Sequence, residues 1–316
     1  MGNPKKWECV QTLKGHSDRI ATVAIAPDGS RLASGSWDET IALWNLSSGE
    51  KITSFCGHQG SVLSVGFTPD GRQLMSGSAD KKLCLWDVAK GKKIRQFGRW
   101  FSGHSLSILA IAMSADGGFF ASCSGDGTVK LWDISTGKNI RTFEPNSSEV
   151  GEVQSVAIAP NGTILAGGRV DGTIQLWNIR LGREISTLTG HSGGVNSVRF
   201  SPDGSRLASG SWDSTIKLWD VAHNREICTF SGHSEAVNAV AFSPDGRTIA
   251  SGSSDNRVKL WNLATGEEII ALLGHSDAVR SVAIAPDNRR IVSGSWDHTI
   301  KIWQDASPCI PVSLDG

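Results

Sequence analysis

The sequence predicts an all-β fold, a seven-bladed β-propeller of four-stranded antiparallel blades, closed into a ring by its own N-terminal strand. Three observations predict it. Tryptophans recur at positions 44, 86, 132, 177, 219, 261 and 303, they are spaced 42 to 46 residues apart, and each ends a short apolar run such as Ile216-Lys217-Leu218-Trp219. A period of that size, with Gly-His near its start and Trp-Asp or Trp-Asn near its end, marks one blade per repeat.

Each element of a blade is visible in the fifth repeat. Val195 to Phe200 alternates with period two, Pro202-Asp203-Gly204 makes a turn, and Arg206-Leu207-Ala208-Ser209 forms the second strand. Asp213-Ser214 makes the next turn, Ile216 to Trp219 the third strand, and Glu226 to Phe230 the fourth. Short alternating runs bounded by turn residues are strands, and no helical period competes. One blade cannot bury both of its faces, so blades stack, and a ring leaves no exposed end. After Trp303 no complete fourth strand follows, whereas Trp7 to Leu13 resembles the fourth strand of the other repeats. The expected organisation is therefore an extension at 1–6, the propeller at 7–303 with residues 7–13 completing the last blade, and a tail at 304–316.

Hydrophobic residues make up 39% of the chain and charged residues 20%, as in a globular protein with a buried core. Lys plus Arg and Asp plus Glu both number 31, so no net field draws the chain to nucleic acid or an anionic membrane. Neither a signal peptide nor an apolar run of membrane-spanning length is present. The six cysteines are scattered without a Cys-x-x-Cys pair, which suits reduced thiols in the cytoplasm and gives no metal site. No cofactor is expected, and Lys81, Lys82, Lys92 and Lys93 are expected to form a solvated edge.

With the repeat defined, the chain resembles the WD-repeat β-propeller family over about residues 7 to 303. The near-identity of Ser201 to Asp220 with Ser243 to Asn262 also resembles the amplified propellers of bacteria, notably cyanobacteria. The resemblance implies a buried four-part network in each blade. It would consist of His16, Ser34, Asp38 and Trp44 in blade 1; His58, Ser76, Asp80 and Trp86 in blade 2; and His104, Ser122, Asp126 and Trp132 in blade 3. Blades 5, 6 and 7 would have His191, Ser209, Asp213 and Trp219; His233, Ser251, Asp255 and Trp261; and His275, Ser293, Asp297 and Trp303. Blade 4 departs: Glu149 stands near the His position, Gly167 replaces Ser, and only Asp171 and Trp177 remain, so this blade is expected to be the loosest.

His, Ser and Asp together also make a nucleophilic triad. A catalytic constellation needs one copy in a cleft with room for substrate, whereas six copies around a ring meet a repeated structural need. The expected protein is not an enzyme.

The resemblance further implies that the loops between blades, and those joining second to third strands, share one face around the central channel, where partners bind. Before the turn Asp stand Trp37, Trp212 and Trp296, with Ala79, Gly125, Val170 and Ser254 in the other blades. After Gly-His come Arg19, Leu63, Leu109, Asn196, Asn238 and Arg280, with Glu152 and Gln154 in blade 4. Trp is a frequent interface anchor. Because blades 7 and 1 adjoin on closure, Arg280, Trp296, Arg19 and Trp37 are expected to cluster into a patch suited to an acidic or apolar peptide. Gly98-Arg99-Trp100-Phe101 lengthens one connection and is a second candidate on that face. The leading reading is a monomeric interaction module that binds a protein or peptide. The alternatives are a small-ligand or enzymatic propeller using the channel, and a sensor domain of a larger signalling protein.

Overall fold

A computed structural model describes residues 6–98, 102–144 and 151–306. Its strands form seven antiparallel sheets of four, each a meander running outward from the channel, with no α-helix among the described residues. The inner strands are Ile20–Ile25, Val62–Phe67, Ile108–Met113, Val153–Ile158, Val195–Phe200, Val237–Phe242 and Val279–Ile284. In blade 5 the remaining strands are Arg206–Ser211, Ile216–Asp220 and Arg225–Phe230, each within two residues of the sequence expectation.

Closure is by the N-terminal strand. Trp7–Lys14 pairs antiparallel with Thr299–Asp305, from Trp7 opposite Asp305 to Lys14 opposite Thr299, with a bulge between Cys9 and Gln11. The third strand of blade 7 therefore runs through Gln304 and Asp305, beyond the expected boundary at Trp303. Pairing the first strand to the last removes two open sheet edges at once.

The core lies between blades. Ala33, Ile41 and Leu43 of blade 1 pack on Val62, Val65, Phe67, Leu74 and Trp86 of blade 2, and equivalent clusters fill the other junctions. The Ser-Gly-Ser in the second strand owes its glycine to this packing: a Cβ on Gly210 would lie 2.6 Å from Val237 Cγ1 of the next blade. Only blade 3 departs, with Cys123 fully buried at that position.

A second set of contacts runs around the channel. The third residue of an inner strand carries a hydroxyl that accepts a backbone amide of the next blade: Ser281 from Val23 at 3.0 Å, Thr22 from Val65 at 3.4 Å, and Ser64 from Ile111 at 3.1 Å. Ser155 accepts from Val198 at 3.1 Å and Ser197 from Val240 at 3.2 Å. Blades 3 and 6 have Ala110 and Ala239 there and supply no hydroxyl. The turns between second and third strands are tight, with the residue after the turn Asp in the left-handed region, as at Glu39 (φ 69°) and Gly127 (φ 79°).

Candidate functional site

The polar residues implied by the repeats come together in six blades. In blade 1, Trp44 Nε1 donates to Ser34 Oγ at 2.9 Å, Ser34 Oγ meets His16 Nε2 at 2.8 Å, and His16 Nδ1 meets Asp38 Oδ2 at 2.8 Å. The same relay holds in blade 2 (His58, Ser76, Asp80, Trp86) and blade 3 (His104, Ser122, Asp126, Trp132). It also holds in blade 5 (His191, Ser209, Asp213, Trp219), blade 6 (His233, Ser251, Asp255, Trp261) and blade 7 (His275, Ser293, Asp297, Trp303). With the proton assigned to Nδ1, the donors run in one direction, from indole to hydroxyl to imidazole to carboxylate, and each group finds a partner. Burial alone would raise the Asp80 carboxyl, but hydrogen bonds from His58 and the Gln59 amide outweigh it and hold the group at about 2. The serines are fully buried against the indoles, so this constellation ties second strand, third strand and loop together and leaves no room for a substrate.

Blade 4 keeps Asp171 and Trp177 and replaces the rest. A Cβ on Gly167 would lie 2.8 Å from Trp177 Cζ3, so the indole occupies the place where other blades hold Ser. Arg169, only 2% exposed, is the new centre, pairing through Nε with Asp171 Oδ2 at 3.3 Å and donating from Nη1 to Gln175 Oε1 at 3.0 Å. Gln175 in turn donates to Glu184 at 3.4 Å. The expectation that this blade simply lacks its network is corrected, because a long cation spans the space of the missing imidazole. Glu149, the sequence candidate for the His position, lies outside the described residues, as do Arg99, Trp100 and Phe101.

The patch expected where blades 7 and 1 adjoin is formed. The Arg19 guanidinium lies 5.0 Å from the centre of the Trp37 ring and 4.6 Å from that of Trp296, and the two indoles meet edge to face at 5.9 Å. Arg280 lies 5.1 Å from the Trp296 ring on the channel side. The local cause is the loop: Trp37 N donates to Arg19 O and Trp296 N to Ala278 O, both at 2.9 Å, which sets each indole beside the loop after Gly-His. Stacking orients the guanidiniums while leaving edge N–H groups open to an anion.

Inside this patch, a chain of amides crosses the channel mouth. Asn196 Nδ2 donates to Asn238 Oδ1 at 3.3 Å, and Arg280 Nη1 donates to the same oxygen at 2.8 Å. Asn238 itself is buried, and its Nδ2 is taken by Ser254 Oγ and the Val279 carbonyl, so it positions Arg280 rather than presenting a free amide. Leu63, Leu109 and Gln154 complete the lining of this mouth, a cavity of about 190 Å³ that Trp37, Asn196, Asn238, Arg280 and Trp296 also line. Glu152 accepts from Gln154 Nε2 at 2.7 Å outside that lining.

The three loop tryptophans are not equivalent. Trp212 is 50% exposed and lies over Gly194, where a Cβ would sit 2.7 Å from its Cε3. It makes no ring contact with the other two among the described residues. Trp37 is 37% exposed, while Trp296 is half-buried, and its Nε1 has no hydrogen-bond partner among the described residues. The picture of three exposed anchors is corrected to one stacked pair and one separate indole, since only blades 7 and 1 place such residues side by side.

Comparisons with known proteins agree with this architecture. A profile described as WD domain, G-beta repeat, matches residues 7–45, 49–87 and 266–304. One described as echinoderm microtubule-associated protein second beta-propeller matches residues 108–272, slightly more than half of the chain. The chain belongs to the family of WD-repeat β-propellers that these profiles describe.

Curated WD-repeat relatives match over about one repeat. Protein Mut11 of Chlamydomonas reinhardtii is 44% identical over 48 residues, 15% of this chain and 13% of its own. Vegetative incompatibility protein HET-E-1 of Podospora anserina is 49% identical over 45 residues, 14% of this chain and 3% of its own. Small ribosomal subunit protein RACK1z of Arabidopsis thaliana is 49% identical over 43 residues, 14% of this chain and 13% of its own. The chain thus spans a small part of each of these relatives. They come from an alga, a fungus and a plant, and give no support to the bacterial origin that the near-identical repeats suggest.

Two charged residues of this WD-repeat propeller escape a reading by motif. Arg169 was hidden because it stands where other blades carry a small Ser. Arg199 was hidden because its strand reads as an ordinary alternating run. The signal for Arg199 was present at its repeat position, where Ala24, Gly66, Ala112, Ala157, Ala241 and Ala283 stand in the other blades.

Proposed function

We propose that this propeller is a non-enzymatic scaffold whose loop face binds an acidic segment of a protein or peptide at the junction of blades 7 and 1. The observation that carries this reading is the stack of Trp37, Arg19, Trp296 and Arg280 beside the channel mouth. Burial lowers the Arg280 guanidinium from its ordinary value, yet it stays charged at neutral pH, and no carboxylate lines the mouth to neutralise it. The buried Trp296 Nε1–H lacks a partner, and such a donor is costly until an acceptor arrives. Leu63, Leu109 and Gln154 would contact the same segment, and Trp212 and Glu152 would extend the surface along blades 4 and 5. Two further features support the reading. WD-repeat relatives are known to this comparison as components and interaction proteins by name, among them a chromatin assembly factor subunit and a kinase-interacting protein. No group of His, Cys, Asp and Glu fit to hold a metal occurs among the described residues. The free thiols of Cys9, Cys56, Cys84, Cys123 and Cys228 support a reducing, cytoplasmic setting.

The experiment is retention of partners by the wild-type chain against an Arg19→Ala, Trp37→Ala, Trp296→Ala variant of unchanged melting temperature, with cross-links mapped on both. Partners held by the wild type through the loop face and lost by the variant are expected. Equal retention by both would overturn the assignment of this face. A separate Trp212→Ala variant shows whether blade 5 takes part.

A further inference from the structure

The central channel is lined unevenly from end to end. At the fifth residue of the inner strand six blades place Ala or Gly, and blade 5 places Arg199. One residue further along, the lining becomes apolar: Phe67, Met113, Ile158, Phe200, Phe242 and Ile284 surround a funnel of about 480 Å³. This funnel opens on the face opposite the loop tryptophans, beside the turns that carry Pro160 and Pro202. Arg199 lines both this funnel and the upper cavity, so its side chain sits at the level where the two meet.

Arg199 has no counter-charge there. Its Nη1 donates to the Val198 carbonyl of its own strand at 2.9 Å, and no Asp or Glu lines either cavity. The other charged lining residue is Arg280, also a cation, whose Nη1 is committed to Asn238. A guanidinium carries five N–H donors, so most of the Arg199 fork remains available toward the channel. Nothing in the packing requires it, since Ala serves the equivalent position in five other blades and Gly in the sixth.

We propose that the lower half of the channel is a receptor for a small monocarboxylate with an apolar body. Its carboxylate pairs with Arg199, and its hydrocarbon or aromatic part lies against Phe67, Met113, Phe200 and Phe242. The two halves of the site select the two halves of the ligand. A planar fork matches a carboxylate bidentately, and the funnel has the size and mainly apolar lining of a small-molecule pocket with one polar group to fix orientation. An inorganic anion would gain the charge pairing but nothing from the funnel, and an apolar amine would meet repulsion. This site is independent of the loop face, so either reading can fail without the other.

The test is titration calorimetry of the intact chain with octanoate, octylammonium and inorganic phosphate, alongside an Arg199→Gln variant and a funnel variant, Met113→Gln. Octanoate is expected to bind the wild type saturably with one site per chain, and to bind Arg199→Gln at least about tenfold more weakly, the loss of one charge-assisted pair. Met113→Gln should weaken octanoate as well, and octylammonium and phosphate should show no saturable binding. The melting temperature of unliganded Arg199→Gln should match the wild type, because the side chain holds no partner that folding needs. Equal binding of octanoate by Arg199→Gln would overturn the proposal, as would saturable phosphate binding of comparable strength, which would mark an adventitious ion only. A large drop in the melting temperature of Arg199→Gln would assign the residue to structure, and an octanoate titration without saturation would remove the site.

Discussion

Ser281 and Val23 are separated by 258 residues in sequence, and the Ser281 hydroxyl accepts the Val23 amide at 3.0 Å across the junction that closes the ring. The same bond recurs at the four junctions from Thr22, Ser64, Ser155 and Ser197, forming a polar belt around the channel inside the apolar clusters. The belt is interrupted where Ala110 faces Val156 and where Ala239 faces Val282. Ala110→Ser and Ala239→Ser are each expected to stabilise the propeller by about 0.5–1.5 kcal/mol, the net value of one buried hydrogen bond. Chemical denaturation of the single and double variants measures this, and no gain in either would show that those amides are already satisfied.

Glu39 adopts φ 69°, a conformation that costs an L-residue about 1–2 kcal/mol and a glycine much less. Blades 3 and 4 have Gly127 and Gly172 at the same turn position. Glu39→Gly is therefore expected to raise stability by up to about 1 kcal/mol, after allowing for the greater freedom of glycine in the unfolded chain. The readout is the denaturation midpoint. A lower midpoint would mean that the Glu39 side chain contributes more than its backbone costs.

Arg169 should be to blade 4 what His and Ser are to the others. Arg169→Ala removes a buried cation from Asp171 and Gln175 together and is expected to cost about 1–3 kcal/mol, the penalty for leaving buried polar partners unmade. Ser211→Ala, at the equivalent position of blade 5, removes bonds to the Gly193 carbonyl and Asp213 amide but leaves the His191 relay in place. The arginine variant should therefore be the more destabilised in thermal melts.

How much could be read from the sequence follows from what repeats. Strand order, closure by Trp7–Lys14 and the six His relays were legible because each depends on residues that recur at fixed intervals. The meeting of Arg19, Trp37, Arg280 and Trp296 was legible once closure was known, since it depends only on which blades adjoin. Arg169 and Arg199 were not, because each occurs once and a consensus reading treats single departures as noise. Asn238 was misjudged for another reason: its exposure depends on how Asn196 and Arg280 converge from neighbouring blades, which no single repeat encodes.

The relay aspartates set the response to acid. Asp38, Asp80, Asp126, Asp213, Asp255 and Asp297 all have carboxyl values below the ordinary 3.8; burial opposes the shift, and hydrogen bonds from the paired histidines and neighbouring side chains or amides outweigh it. A folded value below the unfolded one means that stability is fully present above pH 3.8 and is lost as pH falls through the folded value, about 2 for Asp80. The melting temperature is expected to fall steeply as pH drops from about 4 to about 2, with more protons taken up on unfolding than a single carboxylate accounts for. Asp80→Asn should melt lower than the wild type at neutral pH, because the His58 ring loses its charged acceptor, and should show a shallower acid limb because one linked proton is gone. Melts of both proteins across that range measure the difference, and an unchanged slope in the variant would show that Asp80 titrates alike in the folded and unfolded chains.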